Sequence, residues 1–287
     1  MRILITATLL SLTPIVSYAD ELPKAVASFE QNFIRQLLGN NILPLGIPNR
    51  SGLRLCAVGA PKHQRILIEN FVALFDELSM GNSDVSFTES EHDCPQNTES
   101  TLVYAGEDYA TRFASLIQQK EYMLGFEAQP EALIRWSLWE GAKTAFMIDA
   151  NSTLHSVSAV WLNVPDDVQS ALTVKAMFQI GTVSQPVEWV GPFFSIAQTV
   201  EPTIPQALTP TLGETELSLD DYLERNAAGL CMPDLINLNL ILRHLKEGLT
   251  PNEALIELHR NQALLEKEVR TSGILERFRT LVDHRCI

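Results

Sequence analysis

The chain has 287 residues, 46% of them apolar, with 35 acidic side chains against 21 basic ones. The apolar share is ample for a core and excludes global disorder. A formal net charge of −14 repels phosphate backbones and anionic lipid, which argues against nucleic-acid and membrane-surface partners.

In chain order, Arg2 opens a mostly apolar run over 3–16, and Ser17-Tyr18-Ala19 sets small residues where a signal peptidase reads. This predicts a signal peptide over 1–19 with cleavage before Asp20. The run is short, holds Pro14 and lacks a basic stop-transfer flank, so it does not predict a membrane anchor. No cysteine follows it and no later stretch is apolar enough to span a bilayer. The expectation is an exported chain, periplasmic or secreted, with no membrane insertion after cleavage. Cleavage removes only Arg2 among the charges, leaving 20 basic side chains against 35 acidic ones and a net of −15.

Val26, Phe29, Phe33 and Leu37 recur at helical spacing and predict a helix over 24–40. After a Gly/Asn/Pro break, 52–58 alternates like a strand, 63–78 carries an amphipathic helical pattern and 84–90 reads as a strand. An acidic loop with Cys94 follows, then a strand at 101–106, a helix at 107–120, a strand near 122–127 and a helix over 130–142. "TAFMIDA" (144–150) and "HSVSAVWLNV" (155–164) are rich in β-branched and aromatic residues and predict two strands joined at Asn151-Ser152. Pro165-Asp166-Asp167 opens a helix that the pattern carries to Ile180, with Gly181 as its stop. Five prolines make 185–215 loop-like, and helices are expected at 218–228, 233–247, 251–270 and 273–284.

The expected architecture is α+β: a mixed β-sheet with flanking helices, then an all-helical C-terminal portion. The corresponding division is a signal peptide (1–19), an α+β domain (20–185), a Pro-rich connecting loop (186–215) and a helical region (216–287) packed on the first domain. Four cysteines in an exported chain predict two disulfides. Three pairings are open; we favour Cys56–Cys94 and Cys231–Cys286, because each pair lies within one half of the chain.

The stretch "VKAMFQIG", 174–181, has the frame of the zinc-protease helix H-E-x-x-H-x-x-G. In that motif two histidines at i and i+4 hold one metal and the glutamate activates bound water. Here the five frame positions are Val174-Lys175-Ala176-Met177-Phe178. Valine and phenylalanine offer no lone pair, and lysine is no base at neutral pH without a large shift. Zinc hydrolysis of that kind cannot run on these residues, and Val174, Met177 and Phe178 read equally as the apolar stripe of a buried helix. Lys175 and Gln179 form a polar i, i+4 pair one position out of frame.

After that helix come "GPFFSIAQ" (191–198) and "MPDLINLNLILRHLKEGLTPNEALIEL" (232–258). The order of these parts, over roughly 143–258, resembles a family of exported bacterial zincin-like metalloproteases, largely uncharacterised. That family carries E-E-L-T-Q-x-L-G on the helix, S-I-F-N in the following loop and P-G-M-T-x-x-E-A at the later turn. Its Glu and Gln fall on Val174 or Lys175 and on Phe178. The resemblance therefore implies a zincin-like scaffold and transfers no ligand.

Other candidates are weaker. His244, Glu247 and His259 could meet as a metal site if their helices pack antiparallel, and relocated ligands could also include His155. "ESEHDC" (89–94) gathers acids beside a cysteine, and Trp136 with Trp139 could form an aromatic surface on one helix face. No G-x-S-x-G, Walker or dinucleotide fingerprint occurs, and "GNSD" (81–84) lacks a downstream D-x-x-H. The reading assigns no catalytic residue and no cofactor. Its leading expectation is a non-catalytic zincin-like scaffold that binds a protein or cell-envelope partner. The alternatives are a metal-dependent, peptidase-like hydrolase with relocated ligands, and an interaction module acting through the C-terminal helices.

Overall fold

The computed structural model describes residues 52–124, 141–148, 153–183, 187–188, 196, 198–199, 227–244 and 251–287. The expected helix over 24–40, the Asn151-Ser152 turn, Trp136, Trp139 and Glu247 lie outside the described residues.

The core element is a five-stranded sheet of β1 (Arg54–Val58), β2 (Asp84–Thr88), β3 (Ser100–Ala105), β4 (Ala142–Ile148) and β5 (Leu154–Trp161). Its order is β2-β1-β3-β5-β4. The first four of these are parallel to one another, and β4 alone runs antiparallel, paired with β5 from Ala142↔Val160 to Ile148↔Leu154. The sheet is mixed, as its sequence pattern implied.

Strand alternation sorts the side chains onto two faces. Leu55, Ala57, Leu102, Tyr104, Ala142 and Val160 join one apolar cluster, whereas Cys56, Val58, Val103, Met147, Val157 and Ala159 join another. Helix α1 (Lys62–Ser79) and helix α3 (Asp166–Thr182) cover the first face, and α2 (Tyr109–Leu124) supplies Tyr109, Phe113 and Ile117 to the second. Burial on both faces fits the apolar runs 55–58 and 102–105 of the interior strands β1 and β3.

Helix α3 is central. It touches β4, β5 and α1, and a further helix, α4 (Met232–Asn239), packs over it. Every residue from Ala171 to Thr182 is buried, so beyond its exposed first turn α3 has no solvent face. Gly181 does not end it. A Cβ at Gly181 would lie 3.3 Å from a ring carbon of Phe71 on α1, so the glycine serves close packing of the two helices. The chain turns off two residues later at Val183, whose φ of 55° is in the left-handed region and whose N–H bonds the Gln179 carbonyl at 2.8 Å.

Other boundaries also differ from the expectation. Residues 122–124, expected in a strand, continue α2. Within the expected loop, Val187–Glu188 (β6) and Gln198–Thr199 (β7) form a short parallel pair. The C-terminal region is not wholly helical. After α4 comes a π-helical turn over Leu240–His244, then α5 (Pro251–Thr271) and a single turn, α6 (Ile274–Arg277). The segment expected as a helix to 284 instead forms a bridge between Val282 and Leu230. That approach requires Gly229, since a Cβ there would lie 2.6 Å from the Leu281 carbonyl oxygen.

Two disulfides staple these parts. Cys56 on β1 joins Cys94 in the β2–β3 connection at 2.01 Å, and Cys231 at the start of α4 joins Cys286 at 1.97 Å. These are the two within-half pairs favoured above. Among the described residues no helix is long and apolar enough to cross a membrane.

Candidate functional site

The frame "VKAMFQIG" lies on a stretch of α3 in which every residue is buried. Val174 and Phe178, at the two ligand positions of the motif, are 2% and 0% exposed and belong to the core shared with α1, α4 and the sheet. The Lys175–Gln179 pair lies on the same helix, and both residues are buried.

Gln179 is tied to the sheet. Thr144 Oγ1 on β4 donates to Gln179 Oε1 at 2.8 Å, and the same hydroxyl lies 2.7 Å from Ser158 Oγ on β5. Because β5 alternates, Ser156 shares a face with Ser158, and it donates to Ser100 on β3 at 2.8 Å. Further along, Tyr104 Oη and Thr173 Oγ1 are 2.9 Å apart. The sheet and α3 thus meet through a polar seam set inside an apolar core.

Among the described residues, the seam's serine and threonine hydroxyls bond other hydroxyls, backbone carbonyls and the Gln179 amide. Burial pushes the Tyr104 phenol far above its ordinary value, so it stays protonated at neutral pH. The seam offers hydroxyl and amide hydrogen bonds. The Gln179 Nε2 donor is buried and bonds no protein group.

The remaining sequence candidates fall apart or find other partners. His244 Nε2 lies 3.1 Å from Glu268 Oε2 on α5, a partner that the sequence reading did not name. His259 is exposed on the same helix, nine residues before Glu268 and about 13 Å along the axis. His155 sits on β5 opposite Met147. Among the described residues, no three His, Cys, Asp or Glu side chains gather around one point. The acidic loop is held by cations of its own chain. Arg112 Nε donates to Glu91 at 2.9 Å, Arg65 meets Glu89 at 3.4 Å, and Ser90 caps the short 3₁₀ turn over Glu91–Asp93. Burial raises the Glu91 pKa, but the Arg112 contact outweighs it and holds the carboxyl below its ordinary value. In "GNSD", the Ser83 hydroxyl accepts from Leu53 N at 2.8 Å, a structural role next to β1.

Sequence reasoning missed Ser100, Thr144, Ser156, Ser158, Asn239 and Glu268. The strand residues carried one usable signal: Ser156 and Ser158 alternate with Val157 and Ala159, placing two hydroxyls on one strand face.

Comparison of the chain with protein-family models, with curated proteins and with solved structures returns no match.

Proposed function

We propose that the protein is exported and works by binding a protein or cell-envelope partner, on a zincin-like scaffold that performs no catalysis. The observation that carries this reading is the burial of α3. Where the motif requires two metal ligands, the chain places Val174 and Phe178 in the core, with packing on every side. The order β5, α3, the 187–199 segment, α4 and α5 supports the scaffold likeness, because it follows the order of parts in the family that the sequence resembles. The N-terminal stretch and two disulfides support export.

The reading is tested on the protein purified from its own compartment. Its N-terminus is expected at Asp20. It is expected not to cleave an unstructured protein substrate with or without added zinc, and to enrich one envelope component that excess untagged protein competes away. Zinc-dependent proteolysis that is lost on Lys175→Met would overturn the non-catalytic assignment. A cytoplasmic chain that keeps its first 19 residues would overturn the export assignment.

A further inference from the structure

Asn239 and His244 converge on a single oxygen. Asn239 Nδ2 donates to Glu268 Oε2 at 2.9 Å, and His244 Nε2 lies 3.1 Å from the same atom. Residues five apart on an α-helix sit about 140° apart around the axis, at roughly 100° per residue. The π turn over Leu240–His244 widens the winding and brings both side chains to the α5 side. Such turns are rare and recur at functional sites.

The three groups differ in exposure. Asn239 is 1% exposed, while the His244 and Glu268 side chains are 26% and 30% exposed. A buried amide thus backs a pair of donors that reach solvent. The His244 Nδ1 and Glu268 Oε1 atoms have no hydrogen-bond partner among the described residues. The neighbouring cation, Arg243, donates to the Glu77 carbonyl on α1 at 3.2 Å.

We propose that His244 and Glu268 form a two-donor site for a divalent transition-metal ion of the zinc class, with Asn239 as the group that orients the carboxylate. Imidazole nitrogen and carboxylate oxygen suit such ions. Two ligands each about 2.0–2.1 Å from a tetrahedral ion stand roughly 3.3 Å apart. His244 Nε2 and Glu268 Oε2 are already 3.1 Å apart, so an ion replaces their hydrogen bond with little movement of either helix. Asn239 keeps the second lone pair of Oε2. Water completes the coordination, and loading releases any proton on the imidazole. The site is remote from α3 in sequence, and the proposal does not depend on whether the protein is a catalyst.

The test is calorimetric titration of the metal-free mature chain with zinc chloride, alongside ¹⁵N spectra of the histidine rings. One ion per chain is expected, with the His244 resonances shifting and the other histidines unmoved. His244→Gln and Glu268→Gln should each weaken binding at least tenfold. Asn239→Ala should weaken it about tenfold through loss of orientation alone. Zinc should raise the Tm of the wild type and leave that of the folded His244→Gln chain unchanged. Absence of binding at millimolar zinc, binding that survives His244→Gln, or an Asn239→Ala chain of unaltered affinity would each overturn the proposal.

Discussion

Thr144 shows how much one hydroxyl can organise. It donates to Gln179 and meets Ser158, so Thr144→Val strips two buried groups of a partner while keeping the volume. A loss of about 1–3 kcal/mol is expected in denaturant unfolding. Thr144→Val combined with Gln179→Met should cost less than the sum, because the second change removes a group that the first left unpaired. Met80 gives a prediction of opposite sign. It closes α1 in the left-handed region at φ 52° and is 82% exposed, so its side chain packs on little. Met80→Gly should stabilise the protein by about 1 kcal/mol, read as a higher denaturation midpoint. Neither position was legible beforehand. Threonine is a favoured strand residue on any face, and methionine gives no sign of a left-handed turn.

Among the elements, α1 was legible because its apolar period matches its buried stripe, β1 from the alternation over 52–58, β3 and β5 from their β-branched and aromatic content, and α3 from Pro165-Asp166-Asp167 at its start. The end of α3 was not. Gly181 is a common terminator by composition, but its role here depends on the ring of Phe71, more than a hundred residues earlier in the chain. The His244–Glu268 pairing was hidden for a similar reason: its register comes from packing between helices, which sequence spacing does not fix. Element α4 depends on Asp234, whose Oδ2 accepts from Cys231 N at 2.8 Å and from Ile196 N at 2.9 Å while wholly buried. Asp234→Ala leaves both donors unpaired and should cost about 2–4 kcal/mol. Hydrogen exchange should quicken at Ile196 as well as at the first turn of α4.

The segment after α6 carries a pH-sensitive contact. Burial alone would raise the Asp283 pKa. Arg285 and the N–H groups of Ala228 and Arg285 outweigh it and hold the carboxyl below its ordinary value. A depressed folded pKa contributes stability above the unfolded value of about 3.9, and that contribution is lost as pH falls through the folded value. Asp283→Asn should therefore lower stability at neutral pH and flatten the decline below about pH 4, measured by denaturant unfolding across pH.

For the whole molecule, the α+β architecture and mixed sheet followed from the alternation of elements, whereas the placement of α3 between the sheet and α4 did not. Removing the Cys231–Cys286 link by paired serine substitution should cost about 4 kcal/mol, given the 55-residue separation it closes. Mass spectrometry without reductant should show both bridges; four free thiols would refute them. The strand order bears on how the chain reaches this state. β1 lies between β2 and β3, and β3 between β1 and β5, so the sheet interior cannot close until pairs as distant in the chain as Leu55↔Ser100 and Ser100↔Ser156 have met. Loop closure of that length comes before any reward from pairing, and refolding should be correspondingly slow. The bridge between Cys56 and Cys94 shortens part of that search by holding the β2–β3 crossover against β1. Oxidised chains should therefore regain the fold faster than reduced ones, and reduced chains should spend longer with both sheet edges open to aggregation.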